Sequence, residues 1–178
     1  MPQVDSFRFA SHSKTPRSSR TPIQKTMKHI SPILVLLTSA APALAQGSDS
    51  CTTPTPISGN GPFSFDNTSA TTGPQGQPVC GVNCGRDVWF VWTAPATNAY
   101  VVSTCGGASF DSVIGVYNGS ACPSGAAIGC NDDACGLQSS ASFSATQGSS
   151  YVIQLGSYES SPGGPGTFTI SFPAPCGS

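Results

Sequence analysis

Short polar and apolar residues alternate along much of the chain, and the period is two. SASFSA (140–145) and TFTISF (167–172) place every second side chain on one face, as half-buried strands do. In YVIQLG, Tyr151, Ile153 and Leu155 share one face and Val152 and Gln154 the other. DVWFVWTAP is apolar on both faces and reads as a central strand that Pro95 ends. The candidate strands are Phe63–Phe65, Asp87–Thr93, Tyr100–Cys105, Ser112–Tyr117, Ser140–Ala145, Ser150–Gly156 and Gly166–Phe172. They are rich in Val, Ile, Phe, Tyr, Trp and Thr and are bounded by turn residues. No 3.6-residue periodicity lasts three turns. The pattern predicts an all-β sandwich of about eight strands over residues 50–178. SATTGPQGQP (69–78) and GSYESSPGGPG (156–166) are its long irregular connections.

The beginning of the chain follows a different pattern. MKHISPILVLLTSAAPALAQ (27–46) has a Lys after a Met, an apolar run from Ile33 to Leu37, and small residues ending in Ala43-Leu44-Ala45. This is the layout of a secretory signal peptide with an A-x-A cleavage site. Residues 1–45 are therefore read as an N-terminal extension plus signal, with Met27 as the start, and residues 46–178 as one domain. The expected location is secreted, extracellular or periplasmic, with no membrane insertion.

All eight cysteines lie downstream of that signal: Cys51, Cys80, Cys84, Cys105, Cys122, Cys130, Cys135 and Cys176. An even count in a secreted chain implies disulfides. Chain order suggests Cys51 with Cys176, Cys80 with Cys84, and the remaining four among themselves.

Removing the leader alters the charge. Residues 46–178 hold seven acids, Asp49, Asp66, Asp87, Asp111, Asp132, Asp133 and Glu159, against Arg86, a net of −6. No basic patch exists to neutralise phosphates, which excludes nucleic acid and anionic lipid as partners. Both histidines, His12 and His29, and every lysine fall in residues 1–45. Ser-His-Asp and Cys-His catalysis, His-ligated zinc and Schiff-base chemistry are thereby ruled out for the domain. Arg86-Asp87 reads as a local ion pair.

Candidate chemistry gathers in CNDDAC (130–135). Asn131, Asp132 and Asp133 are hard-oxygen donors, and Asp111 of FDSVIGVY adds a fourth if the sheet brings it near. Calcium takes six to eight such oxygens, and a divalent cation relieves the repulsion between adjacent carboxylates. The same residues are good turn formers, so a plain polar turn stays open beside the metal reading. A pair of catalytic carboxylates needs a defined separation and one raised pKa, and nothing in the sequence supplies a cleft for it. The other candidates are aromatic. Trp89 and Trp92, three apart on one strand, face opposite sides, so one is core and the other is covered by a loop or open to a sugar. Trp89, Tyr117 and Tyr158 are the ligand-binding candidates, against a reading as cross-strand packing.

DVWFVWTAP, VVSTC, FDSVIGVYNGSACP, CNDDAC, GSSYVIQLGSY and GTFTISF, in that order, resemble the bacterial pre-peptidase C-terminal domain. The cysteine-rich version is similar to that of secreted planctomycete-type proteins, and the likeness covers roughly Asp66 to Phe172. It implies an antiparallel, jelly-roll-like β-sandwich, stapled here by disulfides. It also implies a non-catalytic module that binds calcium or an insoluble polymer, although no enzyme is attached in this chain. The expected function is a secreted binding or adhesion module, with calcium as its expected stabilising cofactor, acting on an extracellular polysaccharide or protein polymer, a cell-surface partner or a secreted enzyme. The rival expectations are a structural cell-envelope protein and a small carboxylate hydrolase.

Overall fold

The computed structural model describes residues 46–172, and they fold as two packed β-sheets. Residues 1–45 and 173–178, with the signal segment, the Met27 start and Cys176, lie outside the described residues. Nine strands are formed: β1 (Thr55–Ile57), β2 (Phe63–Asp66), β3 (Cys84–Thr93), β4 (Asn98–Ser103), β5 (Ser112–Asn118), β6 (Gly129–Asn131), β7 (Ser140–Ala145), β8 (Ser150–Tyr158) and β9 (Pro165–Ser171). One sheet has the order β1-β3-β8-β5-β6 and the other β2-β9-β4-β7. All seven expected strands are present. The two short edge strands, β1 and β6, were not expected, because three residues are too few to show a period. β1 also runs parallel to β3, so the sheets are not wholly antiparallel.

The core lies between the sheets. Val88, Phe90 and Trp92 of β3, Tyr151, Ile153 and Leu155 of β8, and Ile114 and Val116 of β5 face Tyr100, Val102, Phe143, Phe168 and Ile170 of the second sheet. Aromatic rings meet edge-on across it, as Trp92 and Tyr100 do at 4.8 Å between centroids. The second sheet turns the opposite face to water, and β7 and β9 accordingly show the expected alternation.

The five-stranded sheet is buried on its outer face as well. Trp89, Tyr117 and Val152 form one cluster there, and Val79, Cys84 and Val113 another. Loops supply the cover: the segment through Cys51, the 67–83 loop and the 119–127 loop. Each is held down by a crosslink or by backbone hydrogen bonds, such as Trp89 N–H to the Ser48 carbonyl at 2.8 Å.

The disulfides join Cys51 to Cys122, Cys80 to Cys130 and Cys105 to Cys135. Several expectations are corrected here. Cys51 pairs with Cys122, not with Cys176, and Cys80 with Cys130, not with Cys84. Of the four cysteines expected to pair among themselves, Cys105 and Cys135 do, whereas Cys122 and Cys130 pair outside that set. Among the described residues, which do not include Cys176, Cys84 is a buried free thiol at the start of β3 and not part of a disulfide as expected. Chain order misleads because the outer-face loops are covalently tied to strands far along the chain, at separations of 71 and 50 residues.

β3 carries one structural irregularity that shapes the outer face. Gly85 pairs with Ser157 and Val88 with Leu155, so one extra residue bulges from β3 against β8. Arg86, at φ 40°, points outward and donates to the Thr68 carbonyl at 2.6 Å. Asp87 points in and is buried, so the expected Arg86–Asp87 ion pair is replaced by an inward carboxylate. Opposite the bulge only glycine fits at 156, because a Cβ there would sit 3.2 Å from Asp87 Cα and closer still to Cys84 Sγ.

A non-reducing digest should therefore yield the peptide pairs 51–122, 80–130 and 105–135. Cys84 should react with iodoacetamide only after denaturation. A Cys80–Cys84 peptide from folded protein would contradict this arrangement.

Candidate metal centre

Asp111 ends the loop that leads into β5, and Asp132 and Asp133 follow β6 directly. β5 and β6 are paired, Ile114 opposite Asn131, so the chain enters one strand and leaves the other side by side. That register gathers the three carboxylates, with one oxygen from each within 4.8 Å of the others. The Cys105–Cys135 bond ties the Asp111 loop to the loop carrying the other two. Asn131 is not in the gathering: its Oδ1 accepts the Ser140 N–H at 2.9 Å and fixes the start of β7. The CNDDAC segment is thus half edge strand and half loop, and its two cysteines anchor it to different parts of the fold.

Buried hydroxyls that the sequence reading missed form the floor of the cluster. Ser139 Oγ lies 2.7 Å from the Asp132 carbonyl and against that of Ser112. Thr104 Oγ1 and Ser112 Oγ are 2.8 Å apart. Isolated Ser and Thr give no pattern in sequence that would distinguish these from turn residues.

The electrostatics are unbalanced. Asp111 Oδ1 and Asp132 Oδ1 are both buried, and neither has a hydrogen-bond partner. Burial, then the charge of Asp133, raises the pKa of Asp111 above the usual carboxylate range. Burial raises Asp132 too, reinforced by Asp133, Asp111 and Glu159. Tyr158 is raised by Glu159 first and then by burial and the three aspartates; its backbone N–H donates to the Asp111 carbonyl at 2.9 Å, while its side chain packs on the Val79–Cys84–Val113 cluster. Two buried, unpartnered carboxylate oxygens in one acidic cluster lack a counter-charge, and a divalent cation supplies one. An all-oxygen donor set suits calcium or magnesium and not a soft metal. Asp133 is exposed, so the outer side of the cluster is open to water.

The aromatic candidates lie elsewhere. Trp92 is in the main core, where its indole N–H donates to the Gly59 carbonyl. Trp89 and Tyr117 stack loosely on the outer face, 6.3 Å between centroids, and are 1% and 4% exposed. Loops cover both, so neither presents an open ring face; Tyr158 alone of the three stands beside the acidic cluster.

Under the same loops lies a polar chain. Tyr117 Oη is 2.9 Å from the Gly76 carbonyl and 2.8 Å from Gln154 Oε1. Gln154 Nε2 donates to Asp87 Oδ2 at 2.7 Å. Burial lifts the Asp87 carboxyl from 3.8 to about 6, against hydrogen bonds from Gln154 and Gly73 that lower it. Two grooves border this region, of about 620 and 200 Å³. The larger is walled by Pro74–Pro78 and Pro123–Ala126 and the smaller reaches Tyr117, whereas the three clustered carboxylates line neither.

Comparison with protein-family models, curated proteins and solved structures gives no match to this chain.

The raised carboxyls set a pH dependence. A folded-state pKa above the unfolded value adds stability below the unfolded pKa, and this is lost as pH rises through the folded one. For Asp87 the window runs from 3.8 to about 6 and corresponds to about 3 kcal/mol. Asp111 and Asp132 act in the same sense, and Asp66, lowered by Thr68, in the opposite one. In chelator, the urea midpoint should fall between about pH 4 and about pH 7, and Asp87→Asn should flatten most of that slope.

Proposed function

We propose that this chain is a secreted, non-catalytic binding module, held by disulfides and stabilised by calcium at Asp111, Asp132 and Asp133. The calcium reading is carried by the gathering of Asp111, Asp132 and Asp133, one oxygen of each within 4.8 Å of the others, in which Asp111 and Asp132 each also hold a buried, unpartnered oxygen. A cation there links the β4–β5 connection to the β6–β7 connection, next to the Cys105–Cys135 bond. Secretion is supported by the signal-like segment 27–46 and by three disulfides. Among the described residues, no helix is long and apolar enough to cross a membrane.

The partner we propose is an extracellular polysaccharide or protein polymer, or a cell-surface component. The resemblance to the pre-peptidase C-terminal domain supports this, as does a net charge that disfavours nucleic acid. A non-catalytic role suits the absence of His and Lys from residues 46–178 and the position of the carboxylates outside the larger grooves.

Two measurements test the proposal. Calcium with a Kd of roughly 10⁻⁴–10⁻³ M, as in extracellular modules, adds about 0.4–1.4 kcal/mol at one to ten times Kd. The melting temperature should rise by a few degrees in millimolar calcium relative to chelator, less in magnesium, and not at all in Asp132→Asn/Asp133→Asn. An unchanged melting temperature in the parent protein reduces the cluster to a polar loop. Retention of the pure protein on insoluble polysaccharide or collagen, abolished by a soluble form of the same polymer, supports the binding role. Stoichiometric incorporation into the cell envelope without such retention would favour a structural role.

A further inference from the structure

Within the 67–83 loop, the part that covers Trp89 and Tyr117, residues 71–77, is attached by polar contacts and precedes the buried Val79 and the Cys80–Cys130 bond. Thr71 N–H donates to Asp49 Oδ1 at 2.6 Å, and Thr72 Oγ1 accepts the Arg86 N–H at 3.0 Å. Gln77 makes two bonds to the Cys84 backbone, at 2.6 and 2.9 Å. Between these anchors, Gly73–Gly76 is held by Gly73 N–H to Asp87 Oδ1, a long 3.4 Å, and by Tyr117 O–H to the Gly76 carbonyl. Gly76, at φ 71°, lies directly on the rings: a Cβ there would sit 3.0 Å from the Trp89 ring and 2.8 Å from Tyr117 Oη. Pro74, Gln75 and Gly76 form part of the wall of the 620 Å³ groove, facing a loop that Cys51–Cys122 pins.

Beneath this cover Asp87 is fully buried, and no cation faces it. The neighbouring Arg86 turns to the Thr68 carbonyl. The groups packed around Asp87 are Gln154 of β8, neutral; Tyr117 of β5 and Cys84 of β3, both weak acids raised by burial; and Asp49 of the N-terminal segment, an anion. A buried carboxylate in that company is stable protonated and, once ionised, is stabilised by water. Water reaches it where the cover is weakest, at Gly73.

We propose that Gly73–Gly76 is a lid over a concealed aromatic site, the Trp89–Tyr117 pair, and that ionisation of Asp87 opens it. Closed, Gln154 bridges Asp87 and Tyr117, and the single hydroxyl proton of Tyr117, shared between Gln154 Oε1 and the Gly76 carbonyl, holds the backbone on the rings. When Asp87 loses its proton, the Gly73 and Gln154 N–H donors favour the ion but do not replace the water that burial excludes, and the lid turns on its anchors at Thr72 and Gln77 to admit it. The groove then gains a floor of two tilted aromatic rings, of the kind on which a sugar ring stacks. The lid is independent of the acidic cluster at Asp111, Asp132 and Asp133, so it stands whether or not calcium binds there.

Amide hydrogen exchange on the intact protein tests this, with rates corrected for the intrinsic effect of pH. Protection of peptides spanning 71–78 should be lost between about pH 5 and about pH 7.5, while that of β8 persists. Acrylamide quenching of tryptophan emission should increase over the same interval as Trp89 becomes accessible. Asp87→Asn, neutral at every pH used, should keep the lid protected throughout. Gly76→Ala, whose methyl meets both rings, should leave it unprotected throughout. Protection of 71–78 and quenching that are the same at both pH values in the parent protein overturn the proposal. So does a loss of protection in β8 that keeps pace with the lid, since that is global loosening.

Discussion

A β-sheet with apolar side chains on both faces must be covered twice, and this domain has only one second sheet. The other face of β1-β3-β8-β5-β6 is closed by irregular chain. Loops bury little apolar area per residue and lose much conformational freedom when ordered, so burial alone holds them weakly. Cys51–Cys122 and Cys80–Cys130 reduce the freedom of the unfolded chain instead, and they do so where the cover is least able to hold itself. The buried aromatic pair, the inward Asp87 and the Pro- and Gly-walled groove all depend on that closure.

The third disulfide works in another place for a related reason. Cys105–Cys135 lies at the end of the sandwich, where three aspartates converge from two connections. Their mutual repulsion would spread these loops, and the crosslink opposes it. The register of β5 and β6, the buried hydroxyls of Thr104, Ser112 and Ser139, and the bond together preorganise an acidic cup before any cation arrives.

What could be read from the sequence follows from the range over which each signal acts. Alternation is local, so β7, β8 and β9 were legible in the six or so residues of each, and so was the division of Tyr151, Ile153 and Leu155 from Val152 and Gln154. The sequence offered Asp111 to Asp132 and Asp133 only on condition that the sheet brought it near; the β5–β6 register, which the sequence does not show, meets that condition. Asn131 Oδ1 accepts the Ser140 N–H, a strand-capping role that looks the same in sequence as cation coordination by an amide. The disulfide partners were hidden because they depend on which loops fold back over a face, a property of the whole topology. Asp87 was taken for a surface ion-pair partner of Arg86; the one-residue bulge that separates them has no mark in the sequence beyond a glycine on either strand.

Cys84 gives this architecture a particular biosynthetic history. It lies four residues from Cys80 in sequence, while the native partner of Cys80 is 50 residues away. Closing a short loop takes far less chain entropy than closing a long one, so an oxidant acting on the nascent chain meets Cys80 and Cys84 together first. In the folded chain β6 lies beside β5 with Cys130 bonded to Cys80, and Cys84 is withdrawn into the Val79–Val113 cluster. Chain entropy thus favours one partner for Cys80 before the sheets assemble, and the assembled sheets favour the other.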